Sequence, residues 1–256
     1  TSAKNKRIIM EMPDSAQLSA WPDTWRTAFA GGVILTVLQV ALDLSCKVVP
    51  DSLQAKRARN RGMGMGDQQS GAAGTASARK AIFITGGGSG IGRATARHFA
   101  ARGWLVGIAD INEAGMAETA ALLPAGLSSI HRLDVRERDQ WRIALANFIA
   151  VSGGRLDVLF NNAGVGLGGN YDTLSPEDAD LVIDINLRGV VNGIYAALPH
   201  LRATPGSCIL NTGSASGFYG SAGLSIYSAT KFGVRALTEA LDIEFAPEGI
   251  KVRDLM

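Results

Sequence analysis

Apolar and polar positions along the chain fall into two regimes that meet near residue 80. From Ala81 onward, short β-rich runs recur at "AIFIT" (81–85), "WLVGIA" (104–109), "SSIHRL" (128–133), "LDVLF" (156–160), "CILNT" (208–212) and "IKVRDL" (250–255). Helical patterns lie between them, and the longest span 176–202 and 226–246. The first of these has start chemistry in its side chains: Ser175 to cap, Pro176 at the first helical position, and Glu177 and Asp178 in the first turn. Strands alternating with helices predict a parallel sheet wrapped on both faces. Right-handed crossovers then give an α/β, three-layer, doubly wound sheet of Rossmann-like type over residues 80–256. No internal repeat interrupts this rhythm.

Residues 1–79 follow no such rhythm and are expected to be a poorly structured or non-native extension. Ala28 to Leu42 is an apolar run broken only by Thr36 and Gln39. It is shorter than the roughly 20 residues a membrane span needs. It reads as a lone amphipathic helix, as a segment without stable structure, or as a weak anchor. From Asp67 to Ser77 the composition is mostly Gly, Ala, Ser and Gln, a linker composition. Met63 and Met65 precede that linker and the chain begins with Thr1, so a natural start at one of these methionines is an expectation.

Composition narrows the function classes. With 46% hydrophobic and 19% charged residues, the 256-residue chain can bury a sizeable core. Its net charge of +2 gives no electrostatic case for a nucleic-acid partner. The charge is uneven: residues 1–79 hold ten Lys/Arg against six Asp/Glu, and residues 80–256 hold fifteen against seventeen. Two cysteines, Cys46 and Cys208, make neither a disulfide framework nor a metal spacing, and a reducing cytoplasm is the expected location.

The candidate chemistry begins where the first strand gives way to the first helix, at "TGGGSGIG". Gly86, Gly90 and Gly92 follow the spacing G-x-x-x-G-x-G, which frees the backbone to let a pyrophosphate approach amides at a helix N-terminus. No Lys-Ser or Lys-Thr follows, so the turn is not a P-loop. Asp110 ends the second strand, where a dinucleotide fold sets a carboxylate on the adenosine ribose. A carboxylate there repels a 2′-phosphate, and Ile111 and Asn112 bring no cation, so NAD is favoured over NADP. A helix-capping role for Asp110 is the alternative. Tyr227 and Lys231 in "YSATK" lie four apart near a helix start and hence on one face. An ammonium beside a phenol favours the phenolate and readies it for proton exchange with a carbonyl or alcohol oxygen. Alone, the same pair could be an ordinary exposed one.

Together with "NNAG" (161–164) and Ser214, thirteen residues before Tyr227, these motifs resemble the short-chain dehydrogenase/reductase family. The likeness is to its shorter oxidoreductase branch and runs through residues 80–256. It implies Tyr227 as general acid/base and Lys231 on the nicotinamide ribose, lowering the tyrosine pKa. It further implies Ser214 as hydrogen-bond partner of the substrate oxygen and Asn186 as the residue that positions a water in a proton relay. Asn186 could equally be a core amide. For the cofactor, the resemblance implies Gly86, Gly90, Ile91 and Gly92 in the turn and Ser89 beside the phosphate. It also implies Asp110 on the ribose, Asp134 and Val135 at the adenine, and Asn162 shaping the backbone near the ribose. His98, His131 and His200 match no motif.

The resemblance implies a small-molecule alcohol or ketone as substrate and a homodimer or homotetramer formed through helices 176–202 and 226–246. In the family a Pro-containing turn, a substrate-covering loop and helix, and a last strand follow the sixth strand. The chain ends at "KVRDLM", so these parts are expected to be missing. Phe218, Tyr219 and Leu224 suggest either an apolar wall near the substrate or loop packing. Against the oxidoreductase reading stands a non-catalytic dinucleotide-binding sensor or scaffold, and a further reading makes residues 28–46 a membrane anchor.

Overall fold

The computed structural model describes residues 79–256. The expectations placed on Ala28–Leu42, Cys46, Met63, Met65 and the Asp67–Ser77 linker lie outside them. Six strands form one parallel sheet: β1 (Ala81–Thr85), β2 (Leu105–Asp110), β3 (Ser128–Arg132), β4 (Val158–Asn161), β5 (Cys208–Thr212) and β6 (Lys251–Leu255). Their order across the sheet is β3-β2-β1-β4-β5-β6. The order reverses between β1 and β4, and a crevice opens there at the carboxyl ends of the strands. Five helices connect them: α1 (Gly90–Ala100), α2 (Glu113–Ala121), α3 (Arg138–Val151), α4 (Pro176–Arg202) and α5 (Ser225–Phe245).

The two sides of the sheet make two cores. On one, Phe83, Trp141, Phe148, Val190, Ile194 and Val234 join the sheet to α3, α4 and α5. On the other, Ile82, Ile84, Phe99, Met116, Val106 and Ile108 join it to α1 and α2. Every residue of β1 is buried, which is why "AIFIT" shows no alternation in sequence. A side chain at Gly107 in β2 would drive into the rings of Phe83 and Phe148, so the strand carries a glycine where two aromatics meet.

Helix α4 starts as its side chains predict. The Ser175 hydroxyl accepts from the Asp178 N–H at 3.0 Å, with Pro176 and the two acids in the first turn. Its middle widens into a π-turn at Asp184–Arg188, a local insertion that side-chain periodicity does not reveal. α4 is long and apolar enough to cross a membrane, by length and composition: its most apolar 18-residue window has a mean hydropathy of 1.3, and 44% of that window is buried in the fold. Its apolar face is the one that packs on the sheet.

His131 on β3 is 7% exposed, between Phe83 and Phe148, with a ring nitrogen 2.8 Å from the Ser129 hydroxyl. Burial lowers its pKa to about 4 from 6.5. The folded state therefore holds this ring neutral where the unfolded chain protonates it. The resulting stability is complete above about pH 6.5 and is lost as the pH falls toward 4. The loss is on the order of 3 kcal/mol. Urea midpoints measured across this range should fall for the wild type and fall less steeply for His131→Phe. Parallel curves would refute a role for this ring.

Candidate active site

The crevice between β1 and β4 is lined by a groove of about 360 Å³. Its phosphate end is the glycine turn. Gly86 and Gly90 have φ of 65° and 49°, a backbone region open to glycine. A Cβ on Gly86 would stand 3.0 Å from the Ala163 Cα. Ser89 is the N-cap of α1 but makes no side-chain cap bond, and no acid occupies the first turn. The leading N–H groups of α1 thus face the groove without a competing side chain, the chemistry an anion needs. Gly92 is placed differently from its expected cofactor role. It lies beneath the turn, where a Cβ would come within 2.1 Å of the Gly86 carbonyl oxygen, and it serves packing.

Side chains that motif reading did not single out hold this turn in place. Arg93 donates to the Gly88 carbonyl at 2.6 Å and to the Thr119 hydroxyl at 2.9 Å, and pairs with Glu118 at 2.8 Å. The Thr119 hydroxyl donates to the Gly87 carbonyl at 3.0 Å. Thr85 accepts at its hydroxyl from the N–H groups of Asn162 and Ala163, both at 3.0 Å. Asn162 donates to the Thr85 carbonyl at 2.9 Å, so β1 and β4 are laced together where the groove begins. Arg93 stands one residue past the glycine spacing and Thr85 directly before it, and that adjacency was the available signal.

Asp110 lines the groove at the end of β2. One carboxylate oxygen accepts from Gly88 N–H at 2.9 Å and the other from Asn112 N–H at 3.0 Å. Asn112, not Asp110, caps α2 through its own side chain, which disposes of the capping alternative. Asp134 and Val135 also line the groove, but the Asp134 carboxylate is already paired with Arg136 at 2.6 Å. The hydrogen-bonded guanidinium holds that carboxyl below its ordinary pKa.

At the opposite end, α5 presents Tyr227 and Lys231, 5% exposed each, on its face toward β5. The Lys231 ammonium donates to the Thr212 carbonyl at 2.7 Å and stands 5.6 Å from the centre of the Tyr227 ring. The Ser214 hydroxyl accepts from Ser216 N–H at 3.1 Å, on the Tyr227 side of the groove. Burial raises the tyrosine pKa, and the Ser214 hydrogen bond offsets this in part. Burial lowers Lys231 to about 8. Burial thus acts on both partners of the pair toward their neutral forms.

Asn186 sits in the π-turn, 1% exposed. Its amide oxygen accepts from Val165 N–H and its amide nitrogen donates to the Val165 carbonyl, both at 2.8 Å. The side chain thus clamps the loop after β4. Of the remaining sequence candidates, Ile91 and Asn162 line the groove, and Ser214 stands just outside it beside Tyr227. Leu224 packs near Tyr227, Phe218 lies against the Arg235 guanidinium at 3.9 Å, and Tyr219 is exposed. No cluster of three His, Cys, Asp or Glu among the described residues could hold a metal.

A glycine turn at an open helix N-terminus, a carboxylate at the end of β2, and a Tyr–Lys–Ser group across the crevice define a dinucleotide-dependent oxidoreductase fold. A model of the short chain dehydrogenase family matches residues 80–256, and the chain belongs to that family. The meso-2,3-butanediol dehydrogenase of Serratia marcescens is 37% identical over 176 residues, 69% of each chain. An oxidoreductase of Mycobacterium tuberculosis, SadH, is 38% identical over 164 residues. That match takes in 63% of this chain and spans 59% of the relative's length. Among solved structures, the 3-ketoacyl-(acyl-carrier-protein) reductase from Brucella melitensis complexed with NADH superposes with a TM-score of 0.65 at 31% identity. The superposition covers 68% of this chain and 74% of that one.

Gly92→Ala tests the packing role. The added methyl cannot be accommodated without moving backbone, and it should cost at least ~2 kcal/mol in urea unfolding. An unchanged midpoint would show that the turn yields freely.

Proposed function

We propose that the chain is an NAD-dependent oxidoreductase that interconverts a secondary alcohol and a ketone, with Tyr227 as general acid/base. The observation that carries this reading is Tyr227 beside buried Lys231 in the groove, across the crevice from the open N-terminus of α1. The bound nicotinamide supplies or accepts the hydride at the carbon that bears the oxygen. Tyr227 gives its proton to the carbonyl oxygen in reduction and takes one from the alcohol in oxidation. Ser214 hydrogen-bonds the same oxygen and polarises it. Lys231 is fixed by Thr212 where it can bond the nicotinamide ribose and bring positive charge to the site. The Serratia relative acts on a small neutral diol by its name, which agrees with an alcohol substrate.

The choice of NAD rests on the Asp110 carboxylate, which Gly88 and Asn112 hold toward the groove without a cation bonded to it. A homodimer or homotetramer through α4 and α5 is supported by Tyr195, Phe232 and Ile243, which those helices leave exposed.

Two substitutions check the reading in the full-length protein. Tyr227→Phe should lower turnover at least ~100-fold while NADH affinity, measured by fluorescence titration, changes little. Retained turnover would overturn the assignment. Asp110→Asn should shift the NAD⁺/NADP⁺ ratio of kcat/KM toward NADP⁺ by roughly tenfold or more, about 1.4 kcal/mol of relieved repulsion. An unshifted ratio would place cofactor choice elsewhere.

A further inference from the structure

The side of the crevice beyond Tyr227 is built from the β4–α4 and β5–α5 connections. From Val158 to Tyr171 and from Ala203 to Thr230 the sequence contains no Asp, Glu, Lys, Arg or His. The two uncharged connections meet, with Gly169 N–H donating to the Gly223 carbonyl at 2.9 Å. Around them the Tyr227 ring packs with buried Leu167 and Val182, and Val165, Leu224 and Ile226 complete the cluster.

Some polar groups in and beside these connections bond within their own loops. The Ser228 hydroxyl accepts from Ser221 N–H at 3.3 Å, and Thr173, just beyond, donates to the Asn170 carbonyl at 2.8 Å. The adjoining cations are also committed. Lys231 is buried against the Thr212 carbonyl, and Arg235 lies over the Phe218 ring and bonds Glu239 at 2.8 Å. Among the described residues, these two connections set Tyr227 in uncharged and mostly apolar surroundings.

We propose that this wall selects an uncharged, largely apolar secondary alcohol or ketone and rejects one carrying a carboxylate or phosphate close to the reacting carbon. The proposal rests on the oxidoreductase reading above and narrows it. An anion in this position gives up its hydration and finds no counter-charge in either connection, a loss that uncharged isosteres do not suffer. A ketone oxygen needs only the Ser214 and Tyr227 hydroxyls.

Matched alcohols decide it in the full-length protein, followed by nicotinamide absorbance. One set is 3-hydroxybutanoate, its methyl ester and 4-methyl-2-pentanol. The other is 3-hydroxycyclohexanecarboxylate, its methyl ester and 3-methylcyclohexanol. The neutral members of at least one set should be oxidised, with kcat/KM at least ~100-fold above that of the carboxylate. Carboxylate turnover within about threefold of the ester would overturn this proposal and leave the oxidoreductase reading standing. If no member turns over with NAD⁺ or NADP⁺, the oxidoreductase reading falls, and this one with it.

Discussion

The close approach of β1 and β4 at their carboxyl ends governs everything else in this fold. Two strands that are neighbours in the sheet but distant in sequence must let a helix N-terminus, a glycine turn and a loop share one small volume. The Gly86 backbone runs against Ala163, Gly92 lies under the Gly86 carbonyl, and the Asn162 amide closes onto Thr85. No Cβ fits at Gly92 without displacing main chain. Because the crevice is held this tightly by backbone, the first-turn amides of α1 point into it, and Asp110 is kept at its rim by the turn's own Gly88 N–H.

The opposite wall depends on how α5 is pinned to the sheet. Adjacent residues of β5 make two of the polar attachments, and Val252 of β6 adds another by donating to Asp242 of α5. The Thr212 carbonyl accepts from Lys231, and the Asn211 amide donates to Thr238 at 2.9 Å. Asn161 of β4 extends this chain by donating to Asn211 at 3.0 Å. Tyr227, Lys231 and Thr238 are spaced four and seven apart, so one helix face carries both the chemistry and its anchor. Sliding α5 along the strand would orphan buried amides, so the position of the tyrosine is fixed by polar groups nowhere near the reacting atoms.

Much of this was legible from the residues, and the exceptions have a common cause. β1 and β5 fall where their apolar runs place them, and α5 is offset by one residue at each end from the 226–246 pattern. Short-range signals succeed because β1, β2, β4 and β5 are buried on both faces, and the starts of α2 and α4 carry their own cap chemistry. What sequence could not give is where long-range hydrogen bonds terminate. Asn186 looks like any amide on a helix until the π-turn aims it at Val165, twenty-one residues earlier. Arg93 looks like a surface residue of α1 until its guanidinium is found under Gly88. Gly92 belongs to the phosphate motif by spacing and to the packing by position.

The same distinction separates proximity from effect in the Tyr–Lys pair. The spacing brings the groups together, and sequence reasoning from that spacing makes the ammonium the agent that acidifies the phenol. Burial acts on both partners in the direction of neutrality, lowering Lys231 to about 8 and raising Tyr227. A pair buried this way is poised rather than activated, because near neutral pH the lysine keeps its charge while the phenol keeps its proton. For a general acid that must deliver a proton to a carbonyl, a protonated resting phenol is the useful state. In the proposed reverse reaction the phenolate is needed, and Ser214 acts in that direction by lowering the tyrosine pKa. The uncharged loops around the pair keep that balance from being disturbed by any fixed charge of their own, so the hydrocarbon wall bears on the acid/base chemistry as well as on what can bind beside it.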